Sequence, residues 1–268
     1  MKFFSLPGGR RLAWREAGVG RPLVLLHGWS MSSAVFTEAL EHLSADFRVL
    51  APDLRGHGDS EGGEGYLLTD FAADLARWLQ GLELEDVGAV GWSLGGQVLL
   101  ELLGTPAAER ITRIVLVGST PRFAAAADWS AGLPELQVRA MARDLRRGYL
   151  KAMVEFFALQ FAGEELPPRR RQRIVEFAVR QGKLPEPPVA LAALETLRVA
   201  DQRQSLAAIA QPVLVVQGGL DRIVAPAAGE WLATRLAQGR LALLPLAGHA
   251  PFLSRPEEVF TLWRDFLR

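Results

Sequence analysis

Val87-Gly88-Ala89-Val90-Gly91-Trp92-Ser93-Leu94-Gly95-Gly96-Gln97-Val98-Leu99 passes from a short apolar run to a helical pattern through one tight turn. The run before Gly91 has the length and residue choice of a buried strand, and the residues from Gln97 onward suit a helix. A strand-to-helix turn this sharp forces its central residue into a strained backbone conformation. The flanking glycines remove side chains that would collide there, which leaves the Ser93 hydroxyl exposed at the tip. Because the turn opens a helix, its free N–H groups face any negative charge that develops nearby. A Gly-x-Ser-x-Gly pattern alone occurs often by chance. The strand before it and the helix after it make Ser93 a candidate nucleophile.

Outward from this turn, further apolar runs at residues 23–27, 48–52, 111–117, 213–217 and 241–245 read as buried strands. Helical patterns separate them, as with Leu68, Phe71, Ala72, Leu75, Trp78 and Leu79. Alternation of this kind predicts βαβ units and a mostly parallel central sheet with helices on both faces. Ser254 and Glu257, three apart, predict a capping box at the start of a last helix. That helix carries Val259, Phe260, Trp263, Phe266 and Leu267 on one stripe.

Between residues 121 and 206 no strand pattern appears. Leu150, Met153, Val154, Phe157 and Phe161, then Ile174, Phe177 and Ala178, recur at helical spacing. A structureless loop this long is improbable in a compact domain, so the segment predicts a helical cap over the strand ends. The expected organisation is a core in two parts, 1–120 and 207–268, with the cap at 121–206 between them. Residues 121–190 carry 12 basic and 8 acidic side chains against a chain total of zero. The cap is therefore +4 and the remainder −4.

A serine hydroxyl is a weak nucleophile near neutral pH and needs an adjacent base. Of the four histidines, His249 follows the last predicted strand, at the sheet end that bears Ser93. His42 reads as a helix-surface residue and His27 as an organiser of its own loop. An acid should follow a strand and precede His249. Asp221 does so in Gly218-Gly219-Leu220-Asp221, and Asp201, near the end of the cap, is its rival. The order Ser, Asp, His matches one of the known triad arrangements. The oxyanion of acyl transfer needs N–H donors. Leu94, directly after the nucleophile, is one candidate, and Trp29 in His27-Gly28-Trp29 is the other. Trp29 and Trp92 are candidate walls of an acyl pocket.

Composition narrows the field further. There is no cysteine, which removes disulfides, thiolate catalysis and cysteine-bound zinc. The histidines lack metal-ligand spacing, so no metal is expected, and the triad chemistry calls for no cofactor. Zero net charge argues against nucleic acid and against an anionic membrane surface. No apolar run reaches the ~18 residues of a membrane span, and residues 1–11 do not read as a signal peptide. The expectation is a soluble, cytoplasmic monomer. The basic residues are 27 Arg and 3 Lys, a bias that base composition explains as readily as function. Asp53-Leu54-Arg55-Gly56-His57-Gly58-Asp59-Ser60 lacks a phosphate-loop ending and reads as a tight structural turn.

Taken together, His27-Gly28-Trp29, Asp53-x-x-Gly56-x-Gly58-x-Ser60, the Ser93 turn, Asp221 and Gly248-His249 resemble the α/β-hydrolase superfamily. Finer marks are similar to the pimeloyl-[acyl-carrier protein] methyl ester esterases of biotin synthesis. They are Thr120-Pro121-Arg122-Phe123, Phe156-x-Ala158-Leu159-Gln160, Asp201-x-Arg203 and His249-Ala250-Pro251-Phe252. The resemblance implies an α/β-hydrolase fold and hydrolysis of a methyl ester on a carrier-bound acyl chain. It implies that Trp29 and Leu94 supply the oxyanion N–H groups and that Phe156 packs along the acyl chain. It also implies that basic cap residues, here Lys151, Arg169 and Arg173, meet an acidic acyl-carrier protein. Arg143, Arg146 and Arg147 have no counterpart in that pattern. A carboxylesterase for small esters, a perhydrolase and a carbon–carbon bond hydrolase share the same triad. A binding protein of this fold would need only the pocket.

Overall fold

The computed structural model describes residues 1–268. Eight strands form one sheet: β1 (Lys2–Ser5), β2 (Arg11–Ala17), β3 (Pro22–Leu26), β4 (Arg48–Pro52), β5 (Val87–Trp92), β6 (Ile111–Val117), β7 (Val213–Gly218) and β8 (Gly239–Leu244). Their spatial order is β1-β2-β4-β3-β5-β6-β7-β8. The pairs β1–β2 and β2–β4 are antiparallel, and every other pair is parallel. The six strands expected from apolar runs are all present. The two missed ones form the antiparallel edge, where β1 is largely exposed and β2 interleaves Arg11, Arg15 and Glu16 with Leu12 and Trp14.

Period-two alternation divides the buried residues between two cores. Val24, Leu26, Ile114, Leu116, Val213 and Val215 face one side. Leu23, Leu25, Val115, Val117, Leu214 and Val216 face the other. Helices α2 (Leu68–Gly81), α3 (Leu94–Leu102) and α8 (Pro226–Arg235) cover the first face. Helices α1 (Thr37–Leu43) and α10 (Pro256–Leu267) cover the second, with α9 (Pro251–Ser254) leading into α10. No helix is long and apolar enough to cross a membrane.

The segment joining β6 to β7 is helical, as expected of a cap. It holds α4 (Glu135–Arg147), α5 (Tyr149–Leu159), α6 (Pro168–Ile174) and α7 (Pro187–Val199). A π-helical turn, Val175–Arg180, continues α6. This is the α/β-hydrolase architecture, with its helical insertion before the strand that leads to Asp221.

One local expectation needs correction. The predicted capping box does not form: the α10 N-cap is Arg255, without a side-chain cap bond, and the Ser254 hydroxyl turns toward Pro251 O at 3.5 Å. Pro251 and Pro256 start α9 and α10 separately, so Ser254 ends a short helix rather than opening the long one. On α5, Leu150 and Val154 are exposed. They line a groove rather than pack inward.

Candidate active site

Ser93 sits between β5 and α3 with φ 54° and ψ −116°. The turn is wedged in place by close backbone approach. A Cβ on Gly91 would lie 2.6 Å from Gly95 O, and one on Gly95 would lie 2.3 Å from Leu26 O. The Ser93 N–H donates to Val117 O at 2.9 Å, and the Ser119 hydroxyl donates to Ser93 O at 3.0 Å. Both peptide groups flanking the side chain are thus tied down. The hydroxyl itself is not engaged in any of these bonds.

His249 lies in the loop after β8, buried, with Nδ1 2.8 Å from Asp221 Oδ2. Asp221 follows β7 and its side chain is fully buried. Its second oxygen accepts the N–H groups of Ile223 at 2.8 Å and Val224 at 2.9 Å. Gln217 Nε2 adds a 3.1 Å bond to Oδ2. A carboxylate with this many donors is fixed in orientation, and it fixes the imidazole with Nδ1 as donor and Nε2 bearing the lone pair. His249 Nε2 is buried and has no partner. A free imidazole nitrogen held in one tautomer is equipped to take up a proton.

Gly118 measures how the histidine and serine come together. A Cβ there would lie 3.0 Å from His249 Nδ1 and 3.3 Å from Cε1, and the preceding Val117 is bonded to Ser93 N–H. The imidazole therefore rests on the strand end beside the Ser93 turn. Trp92 props it from below, donating its indole N–H to His249 O at 2.9 Å. Trp92 is buried against Phe252 and forms a support for His249, not the pocket wall that the sequence suggested.

The loop after β3 reaches the same place. A Cβ on Gly28 would touch Ser93 Cβ and the Trp92 ring at 3.2 Å. His27 organises this loop: Nδ1 donates to Gly28 O and Nε2 accepts the Leu54 N–H, each at 2.9 Å. Burial lowers the pKa of His27 to about 4. Burial, aided by the neighbouring His27, takes His57 down to about 3. His57 donates through Nδ1 to Arg55 O within its own loop, whereas His27 joins its loop to the one after β4 through Leu54. Leu94 is the first residue of α3, and its N–H has no carbonyl one turn earlier in the helix to bond.

The other candidates lie elsewhere. Asp201 pairs with Arg203 and Arg122, the Arg203 bond foremost in holding its carboxyl far below the usual range, and it makes no contact with His249. Phe156 packs edge-on against Trp29, with centroids 4.7 Å apart, and both line a cavity of about 260 Å³. A larger apolar groove of about 480 Å³ opens beside it, lined by Met31, Leu150, Val154, Phe157, Ala178 and Val179. Met153 is common to the two. Lys151 is exposed, 3.8 Å from Glu155, and Arg169 is exposed without an ion-pair partner. Arg173 is different: it bonds Glu38 at 3.3 Å and Glu41 at 3.4 Å, beside Arg170 on the same Glu38. It ties α6 to α1.

Sequence reasoning missed Gln217, which steadies the acid, although a polar residue closing the apolar run 213–216 was a visible signal. It also missed the contacts to Gly248 and His249 from residues 160–164, which no local pattern announces.

Comparison with known proteins gives the family. The family described as the alpha/beta hydrolase fold matches residues 21–256. A pimeloyl-[acyl-carrier protein] methyl ester esterase of Nitrosomonas europaea is 37% identical over 244 residues, covering 90% of this chain and 93% of that protein. One from Aromatoleum aromaticum is 36% identical over 93% of this chain and all of its own length (100%). Among solved structures, a thermophilic esterase from Thermogutta terrifontis superposes with a TM-score of 0.80 at 27% identity, covering 99% of this chain and 96% of that one. A hydrolase from Pseudomonas aeruginosa gives 0.83, also at 27%, over 99% and 97% of the two chains. The chain belongs to the α/β-hydrolase family and is a serine-dependent carboxylic ester hydrolase related to the pimeloyl-[acyl-carrier protein] methyl ester esterases.

Proposed function

We propose that Ser93, His249 and Asp221 form the catalytic triad, and that the substrate is the methyl ester of a pimeloyl chain carried on an acyl-carrier protein. The observation that carries the chemistry is His249, with Nδ1 on Asp221 and a free, buried Nε2 beside the Ser93 turn. His249 Nε2 takes the Ser93 proton as Oγ attacks the ester carbonyl. The tetrahedral oxyanion accepts the N–H groups of Trp29 and Leu94, and Asp221 stabilises the imidazolium. Collapse breaks the bond to the methoxy oxygen, which leaves as methanol with the proton from His249. A water molecule, deprotonated by the same nitrogen, then cleaves the acyl-serine and frees the carboxylate.

Support for the substrate comes from the relatives named above, which match nearly end to end, and from the apolar cavities under the insertion. Trp29 and Phe156 are suited to flank the acyl chain. Lys151 and Arg169 offer exposed positive charge to an acidic carrier, in the cytoplasm where biotin synthesis would use the product. Complementation tests this reading. A biotin-requiring strain lacking its own methyl esterase should grow with the wild-type chain and not with Ser93→Ala. Free-ester turnover without rescue would leave the esterase and remove the pathway. The second reading, a general carboxylesterase, is favoured by the likeness to the Thermogutta terrifontis esterase. It expects short free esters to be hydrolysed as well as the carrier-bound one.

A further inference from the structure

His249 stands in a loop gripped from two sides. On one side the Leu220 N–H donates to Ala247 O at 2.9 Å, which joins it to the loop of Asp221. On the other side two consecutive N–H groups leave the core altogether. His249 N–H donates to Gln160 O at 2.8 Å, and Gly248 N–H donates to Glu164 Oε1 at 2.8 Å. Both acceptors belong to the insertion, immediately after α5. The approach is close enough to demand glycine: a Cβ on Gly248 would lie 2.4 Å from Gln160 O and 2.8 Å from Glu164 Oε1.

Glu164 is an unusual residue for an ordinary surface tether. It is partly buried, and its Oε2 is enclosed without a partner. Burial raises its pKa despite the bond from Gly248 and the nearby Ser254 and Arg255, and Asp221 adds to the rise. Burying a carboxylate in such a setting incurs a desolvation cost that stability alone does not offset, which points to the placement of its oxygen.

We infer that Glu164 is a positioning residue for His249: its Oε1 holds the Gly248 peptide so that His249 Nε2 stays aimed at Ser93, and it couples the insertion to the catalytic base. The inference rests on His249 being that base. Loss of the bond leaves the loop held on its insertion side by the Gln160 carbonyl alone, while the Asp221 contact remains. The result is misplacement of the imidazole without loss of its charge partner, and small misplacements of reacting groups cost rate rather than binding.

The test uses the intact protein and p-nitrophenyl butyrate. Glu164→Ala should lower kcat by about tenfold or more, with KM within about twofold. Glu164→Gln retains the Oε1 acceptor and should recover kcat to within about twofold of wild type. The proton resonance of the His249 Nδ1–H should broaden in the Ala variant and sharpen again in the Gln variant, a signature that a purely structural contact would not move. Gly248→Ala should reproduce the Glu164→Ala defect from the opposite side of the clamp, which keeps the test alive if Glu164→Ala fails to fold. Wild-type kcat in Glu164→Ala, or equal loss in the Ala and Gln variants, would overturn the proposal. His249→Ala is the control: if it abolishes turnover while Glu164→Ala does not change it, the clamp is wrong and the base stands. If His249→Ala remains active, the triad reading itself fails.

Discussion

At the scale of the residue, Ser93 carries backbone strain that its proposed role as nucleophile would account for. A non-glycine side chain at φ 54° costs about 1–3 kcal/mol in strain. Ser93→Ala keeps that strain and removes only the hydroxyl, so turnover should fall by about 10⁴-fold or more with the denaturant midpoint nearly unchanged. Ser93→Gly should be equally inactive yet more stable by about 1 kcal/mol, after allowing for the greater unfolded-state entropy of glycine. A midpoint lower than wild type in Ser93→Gly would show that the turn is not strained. Asp221→Asn should depress kcat by roughly 10⁴-fold, since an amide that offers an N–H to Nδ1 favours the wrong tautomer. Asp201→Asn should leave kcat almost intact, because that carboxylate faces Arg203 and Arg122. Ser93 and Asp221 were legible in the sequence because each follows a strand and its spacing reports a sharp turn. Glu164 and Gln160 were not. Their importance comes from a contact with Gly248 and His249 more than 80 positions away, and nothing near them marks it.

At the scale of the element, the parallel strands announced themselves because most of their positions are apolar, and in β3, β5 and β7 nearly all of them are buried on both faces. The antiparallel edge did not. In β2 the exposed face of the strand carries charge, and β1 has only four residues. The helices of the insertion were visible as patterns, but the pattern could not say that the Leu150 and Val154 stripe faces a groove instead of the core. The two loops after β3 and β4 make a testable statement about pH. His27 and His57 are buried and neutral, with pKa values lowered to about 4 and about 3. The unfolded chain takes up protons on both near pH ~6.5, well before the folded one does. Stability from this pair is therefore fully present above about pH 6.5 and is lost as pH falls toward 4. Asp53, also buried there, has its pKa raised by burial, and its protonation as pH falls opposes that loss. Urea midpoints measured from pH 7 to pH 4.5 should decline for wild type and decline less steeply for His57→Gln. A slope unchanged by His57→Gln would assign the acid sensitivity to other groups.

At the scale of the molecule, charge is divided unevenly on a chain of zero net charge: the insertion is positive and the core negative. The structure alters how that division should be tested. Reversing Arg173 would set a new carboxylate against Glu38 and Glu41 and loosen α6 from α1, so a defect from that variant would report folding as much as docking. Lys151 and Arg169 are cleaner probes. Both are exposed, one with a distant helix partner and the other with none, and ion pairs of that kind contribute little to stability. In the double variant Lys151→Glu, Arg169→Glu, kcat/KM for a carrier-bound ester should fall by about tenfold at low ionic strength, because exposed charge acts mainly on encounter. A nitrophenyl acetate reaches the same Ser93 without a carrier and should turn over at nearly the wild-type rate. The defect on the carrier substrate should shrink as salt is raised from about 0.01 M to about 0.15 M, where the Debye length drops from ~30 Å to ~8 Å. Equal losses on the two substrates would mean a damaged insertion. Wild-type kinetics on both would take the acidic carrier away from this face and leave an esterase whose substrates arrive unescorted.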